Sequence, residues 1–235
     1  METGSYFKLR GIDPDQYFKF EVPFWFISRI SKISKNAKFL DFGSGYGQWI
    51  HSLRSHGYTN LYAADIEPDA LDFLNESKIN TIDLRNGFDA ISNLKNSFDV
   101  IFTSHVLEHI SKDEVVQVLK HLRDLLKSDG ELYIAVPNAQ AFTNAYWAYE
   151  DFTHHTMYTY GSLRYILQQA GFTSIEIIDK DALEGSKALI KLFRSFFQKL
   201  FYLRYQFWKK ILGSPTHING EESFCWEIKV RVRKT

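Results

Sequence analysis

Three glycines at alternate positions, Gly43, Gly45 and Gly47, with Asp41 just ahead of them, are the grouping in this 235-residue chain whose types and spacing best suit a small-ligand site. Glycine adopts positive φ and lets a ligand come close where a Cβ would collide. Amides at the start of a following helix then face that ligand. Asp41 narrows the choice, because an acid at the end of the preceding strand repels a pyrophosphate and suits a positively charged ligand. The dinucleotide fingerprint also requires a glycine where Gln48 stands, which counts against an NAD-dependent oxidoreductase. Asp65 lies 18 residues beyond Gly47, near the ~20 at which nucleotide-binding folds place an acid for ribose hydroxyls. Its two acceptor oxygens suit a cis-diol.

The elements that must position these groups are legible in the apolar patterning. A short run over 37–42 reads as a strand, 48–56 as a helix stopped by Gly57, and 61–64 as a second strand ending at Asp65. A helix over 68–75 and a weaker strand over 79–82 follow, then a buried strand over 99–103 that opens into Ser104 and His105. Residues 113–127 carry Val115, Val118, Leu119, Leu122 and Leu125 on one helical stripe. Strands are expected over 131–136, 175–178 and 224–233, with a helix over 162–170.

The Asp41-x-Gly43-x-Gly45-x-Gly47 turn, together with Phe98-Asp99-Val100-Ile101 and Val106-Leu107-Glu108-His109-Ile110, resembles the class I S-adenosylmethionine-dependent methyltransferases over about 37–172. The resemblance implies an α/β fold: a Rossmann-like seven-stranded doubly wound sheet with its last strand antiparallel, here with helical N-terminal and C-terminal insertions. It implies S-adenosyl-L-methionine as cofactor, leaving as S-adenosyl-L-homocysteine. Asp41, Gly43, Gly45 and Gly47 take the methionine part and Asp65 the ribose, Ser44 and Ile66 are further cofactor contacts, and Ser104 faces the cleft from the fourth strand. Where many members place an acid for adenine this chain has Asn86, with Asp83 and Asp89 nearby.

Residues 139–160 depart from the common core, and Asp151-Phe152-Thr153-His154 followed by Tyr158-Thr159 resembles the subgroup acting in bacterial lipopolysaccharide, O-antigen and capsule synthesis. That implies O-methylation of a sugar or sugar-linked group. A sugar hydroxyl has a high pKa, and a neutral imidazole takes its proton as the new bond forms. His154 is the first candidate base, His105 the second and His109 the third. An ionised phosphate or carboxylate, or another small metabolite, is the alternative acceptor and needs no base. A non-catalytic assembly subunit is the alternative from another class. His105 and His109, spaced i and i+4, would share a helix face and suggest a metal, but no third ligand is evident and Glu108 is read as pointing elsewhere, so none is expected.

Charge is balanced at 28 basic and 28 acidic residues, which gives no reason to expect a nucleic-acid partner. The single Cys225 excludes an internal disulfide and a cysteine-based zinc cluster, and points to a cytoplasmic setting. The first residues show no basic segment followed by an apolar core, so no signal peptide is expected. The division expected is an aromatic helical cap over 1–36, a core over 37–180 with its substrate loop at 139–160, a basic aromatic helical insertion over 181–215 and the final strand within 216–235. The helix near 23–34 should lie against the sheet or over the cleft. Residues 187–212 carry seven Lys or Arg and no acid among many aromatics. Packing on the domain or on a second copy is preferred there, with the headgroup region of the inner membrane face as the alternative.

Overall fold

A computed structural model of the chain describes residues 6–213 and 222–234. Residues 1–5 of the expected cap, 214–221 at the junction of the expected insertion and last strand, and 235 lie outside the described residues. Seven strands make one sheet: β1 (Phe39–Phe42), β2 (Leu61–Asp65), β3 (Asn80–Asp83), β4 (Phe98–Ser104), β5 (Leu126–Pro137), β6 (Ser174–Ile177) and β7 (Glu227–Arg233). The order is β3-β2-β1-β4-β5-β7-β6. β1 to β5 pair in parallel, and β7 enters antiparallel between β5 and β6. This is the expected mixed sheet with an antiparallel last strand.

The helices are α1 (Tyr6–Leu9), α2 (Pro14–Tyr17), α3 (Phe24–Ile30), α4 (Gln48–Ser55), α5 (Pro68–Glu76), α6 (Val115–Leu125), α7 (Asn144–Glu150), α8 (Tyr160–Gln169) and α9 (Ala188–Ile211). Strands covered on both faces read as near-continuous apolar runs, and β4 and β5 do. Their side chains still alternate. Phe39, Val100, Phe102 and Tyr133 join one cluster with Trp49, Ile50 and Leu53 of α4. Leu40, Ile101, Leu132 and Ile134 join the other, with Leu119 and Leu122 of α6 and Leu163 and Leu167 of α8.

Of the two positions open to the helix near 23–34, the structure takes the one against the sheet. Phe26 of α3 is fully buried, edge-on to Trp49 at 5.0 Å, Phe102 at 5.5 Å and Tyr133 at 4.8 Å. The expected cap is therefore two things: α3 belongs to the core, and α1 is a short strap over the cleft. The helix expected over 113–127 ends earlier, because Leu126 already pairs with Phe98 as the first residue of β5.

α9 departs most from expectation. None of its residues is buried, so the preferred packing of its apolar side on its own domain is corrected. The side that meets the domain is polar: Gln198 Nε2 donates to the Asp181 carbonyl at 2.8 Å, and Gln206 Nε2 and Lys209 Nζ reach the Glu222 carboxylate at 2.6 and 2.7 Å. Tyr205 and Phe201 rest on Phe224 at 4.7 and 5.0 Å.

Candidate active site

The chain runs from β1 outward to β2 and β3 on one side and returns to β4 and β5 on the other. Open α/β sheets bind ligands outside the carboxyl ends of the strands at such a switch. One wall of the resulting cleft is the glycine turn. Gly43, Gly45 and Gly47 have φ of 77°, 50° and 79°, which L side chains adopt only with strain. A Cβ on Gly43 would collide with Val106, and one on Gly47 with Leu74. At these two positions it is the protein's own packing, rather than the approach of a ligand, that demands glycine. Gly47 caps α4, and Ser44 is buried.

Asp65 ties the turn to β2. Its Oδ2 accepts from the Gly45 amide at 2.7 Å, and its Oδ1 from the amides of Ile66 and Glu67 at 2.7 and 3.0 Å. Burial raises its carboxyl above the usual range despite these three bonds. The expected free pair of acceptors is thus partly engaged, and the lone pairs that remain are those open to hydroxyl donors. Asp41, only 2% exposed, has an Oδ2 with no hydrogen-bond partner. Burial first and repulsion from Asp65 second push its carboxyl well above its ordinary value. Two buried acids side by side, one lacking a partner, leave a deficit of positive charge. S-adenosylmethionine carries a sulfonium and an ammonium, so the group implied by the sequence fits this wall.

Its outer part fits less closely. Asn86 is exposed, and Asp83 is held by Arg85 of its own turn. Ile66 is half exposed, and Ser104 sits at the carboxyl end of β4, partly buried.

The opposite wall brings together residues far apart in sequence. The His155 and Thr156 amides donate to the Glu108 carbonyl at 2.7 and 3.2 Å, and Tyr158 Oη donates to the Leu107 carbonyl at 3.0 Å. These bonds stitch the loop after β5 to the loop after β4. His109 Nδ1 lies 2.7 Å from Thr153 Oγ1, which donates to Asp151 Oδ1 at 2.6 Å. Threonine has one hydroxyl proton, and it goes to the carboxylate. The contact with His109 therefore has the imidazole as donor, and Nε2 becomes its basic nitrogen. His154 Nδ1 lies 2.6 Å from the Trp147 carbonyl. A carbonyl only accepts, so Nε2 is again the basic nitrogen. The two rings are 4.6 Å apart, edge to face.

Burial, more than the charges around it, lowers the pKa of His109 and keeps it neutral near pH 7. Burial pushes the Asp151 carboxyl up, but bonds from Thr153 and from Tyr6 outweigh this and hold it well below the usual range.

His105, the second candidate base, is unsuited to that role. Its φ is 57° and its amide donates to the Ala135 carbonyl at 2.9 Å. Its ring stacks on Trp226 at 5.1 Å, with Nδ1 3.3 Å from Glu108 and Nε2 3.4 Å from Glu227. Burial opposes charging the ring, the two glutamates outweigh it, and the pKa rises to about 9. An imidazolium has no lone pair to take a proton.

His105 and His109 also fail to share a helix face, since only Leu107–His109 is helical and it is a single 3₁₀ turn. Nor does Glu108 point elsewhere. Fully buried, with its Oε1 3.3 Å from His105 Nδ1 and its Oε2 lacking a hydrogen-bond partner, it forms with His109 and His154 a trio whose ligand atoms lie within 4.8 Å of one another.

Across the top runs α1. Tyr6 Oη donates to Asp151 Oδ2 at 2.5 Å and Arg10 pairs with the same oxygen at 3.1 Å. Phe7 packs on Tyr46 of the glycine turn at 4.9 Å, and Lys8 pairs with Asp69 of α5 at 2.6 Å. Tyr6, Arg10, Glu227 and Trp226 are not among the site residues expected from the sequence. They lie on average more than a hundred residues from the groups they meet and match no motif. Asp151 and Thr153 stood inside a quoted motif, but their link to His109 had no sequence signal.

A family described as a methyltransferase domain matches residues 16–177 of the chain. Among solved structures, a SAM-dependent methyltransferase from Archaeoglobus fulgidus is similar at 19% identity, covering 97% of this chain and 97% of that one with a TM-score of 0.64. An S-adenosylmethionine-dependent methyltransferase from Mesorhizobium loti is 12% identical over 90% of this chain and 98% of that one, with a TM-score of 0.55. Phosphoethanolamine N-methyltransferase 2 from Haemonchus contortus, in complex with S-adenosyl-L-methionine, is 14% identical over 99% of this chain and 59% of that one, with a TM-score of 0.59. At these identities the likeness is one of fold. No protein of curated function matches the sequence.

Proposed function

The chain belongs to the methyltransferase-domain family, and on that premise we propose that it is an S-adenosylmethionine-dependent O-methyltransferase acting on a hydroxyl of a sugar or sugar-linked group in bacterial surface polysaccharide synthesis. When bound, the cofactor supplies an electrophilic methyl group on a sulfonium. Asp41 and Asp65 favour a cationic ligand over a neutral one at the glycine turn, and Asp65 accepts from the ribose hydroxyls. Facing them, the loops after β4 and β5 hold the acceptor so that its oxygen is in line with the methyl group, which removes much of the barrier. His154 Nε2 takes the hydroxyl proton as the O–C bond forms. His109, fixed by Thr153 and Asp151, is the neighbouring neutral imidazole, its ring edge to face with that of His154.

The observation that carries the reading is this pair of rings with both Nδ1 atoms committed to oxygen acceptors. The aromatic residues flanking Asp151 support a sugar: Tyr149 and Phe152 are 85% and 97% exposed, and flat apolar faces beside hydroxyl-directed groups suit a pyranose ring. The reading places the enzyme in the cytoplasm.

Calorimetric titration with S-adenosylhomocysteine, followed by methyl-transfer assays on nucleotide sugars and phosphorylated glycans, tests it. Binding to the wild type but not to Asp65→Ala supports the cofactor assignment. A rate on a sugar that His154→Ala removes while cofactor affinity is kept supports the base. A pH-independent rate on a phosphate or carboxylate acceptor would replace the sugar reading, and no binding by folded protein would favour an assembly subunit.

A further inference from the structure

α9 is amphipathic, and it is mounted with its faces reversed. Its partly buried residues are Arg194, Ser195, Gln198, Tyr205, Gln206 and Lys209, all in contact with or facing the domain. The opposite arc is apolar and open: Leu189 is 82% exposed, Phe193 65%, Phe196 58% and Ile211 61%. A monomer rarely leaves so large a contiguous apolar surface without a partner. Among the described residues no helix is long and apolar enough to cross a membrane.

Charge decides between the partners. Of the seven cations in residues 187–212, Arg194 and Lys209 face the domain and Lys209 is paired with Glu222, while Lys187, Lys191, Lys199, Arg204 and Lys210 are exposed with no acid among them. Two copies joined through this face would bring two such sets together. Anionic headgroups would neutralise them, and aromatic and aliphatic side chains would enter the acyl boundary below.

We propose that the outward face of α9 docks the enzyme on an anionic phospholipid surface, the helix lying in the headgroup plane over a length of about 36 Å. The geometry gives the docking a use. A groove of ≈ 1070 Å³ runs along α9 between Arg194 and Gln198 on one side and Phe224 and Trp226 on the other. Trp226 is the residue on which His105 stacks, so the groove leads from the lipid-facing helix toward the acceptor wall. An acceptor carried on a lipid would approach from that side. The docking itself does not depend on what the acceptor is.

Co-sedimentation of the full chain with vesicles tests this. The protein should pellet with phosphatidylcholine–phosphatidylglycerol vesicles, not with phosphatidylcholine alone, and high salt should release it. The double variant Phe193→Ser/Phe196→Ser should lower partitioning roughly tenfold or more, and Lys199→Gln and Lys210→Gln about fivefold each. The substituted residues are exposed, and an unchanged affinity for S-adenosylhomocysteine would show that the variants are folded. No pelleting with anionic vesicles overturns the proposal. So does a dimer in light scattering that the phenylalanine variant dissociates, since that assigns the face to a second copy.

Discussion

On the glycine-turn side of the cleft the contacts are mostly backbone. Amides of Gly45, Ile66 and Glu67 converge on one carboxylate within 25 residues of chain, and left-handed φ values fix the turn. On the histidine side the contacts are side chain to side chain, with spans of 44 residues from His109 to Thr153 and 145 from Tyr6 to Asp151. The first side is stiff because its geometry is local and its glycines are wedged against Val106 and Leu74. The second is assembled from loops whose alignment depends on several hydrogen bonds at once. A cofactor common to many enzymes suits the rigid wall, and a particular acceptor suits the wall that sequence change reaches most easily.

The comparison predicts separable failures. Replacing His154 by alanine should lower the methyl-transfer rate by a factor on the order of 10²–10⁴ and leave S-adenosylhomocysteine affinity unchanged. A collapse of cofactor affinity in that variant would show that the two walls are not independent. Asp65→Ala should weaken cofactor binding roughly 10–100-fold, the loss expected for hydrogen bonds to a charged group, and should lower the melting temperature because three amides lose their acceptor. Calorimetry and thermal unfolding read the two effects.

A smaller loss, roughly tenfold in rate, is expected of Thr153→Val, because the valine frees His109 without removing it. A parallel drop in cofactor affinity would place Thr153 with the other wall. His105 should affect pH dependence more than rate. Its folded pKa of about 9 exceeds the unfolded value near 6.5, so its stabilising contribution is fully present below the unfolded pKa and fades as pH rises through about 9. Melting temperatures of wild type and His105→Gln should therefore converge at alkaline pH, and a constant difference would refute the imidazolium assignment. The smallest expected effect is that of a chelator: a base mechanism leaves the rate unaltered, whereas inhibition reversed by a divalent cation would turn the Glu108, His109 and His154 trio into a metal site.

Much of the fold was legible because period-two and helical patterning specify a doubly wound sheet, and because a glycine turn needs glycine at fixed spacing. Asp41 and Asp65 were readable for the same local reason. The fate of His105 was not, since it depends on Glu227 reaching it from β7, 122 residues later. Nor could patterning say which way α9 faces: periodicity shows that a helix has an apolar side without showing what that side meets. The aromatic cap divided for a related reason, with Phe26 finding Trp49 and Tyr133 in the core while Phe7 found the turn.

The strap α1 has a kinetic consequence. It is fastened to one wall by Phe7 and Lys8 and to the other by Tyr6 and Arg10, so a ligand passing beneath it would have to unlatch one end. A hydrogen bond to a carboxylate such as Asp151 biases closure by about 1.5–3 kcal/mol, or roughly ten- to a hundredfold. A latch of that strength spends most of its time shut yet opens many times within a typical turnover. Tyr6→Phe should therefore speed product escape and admit water, trading residence time for uncoupled loss of the methyl donor.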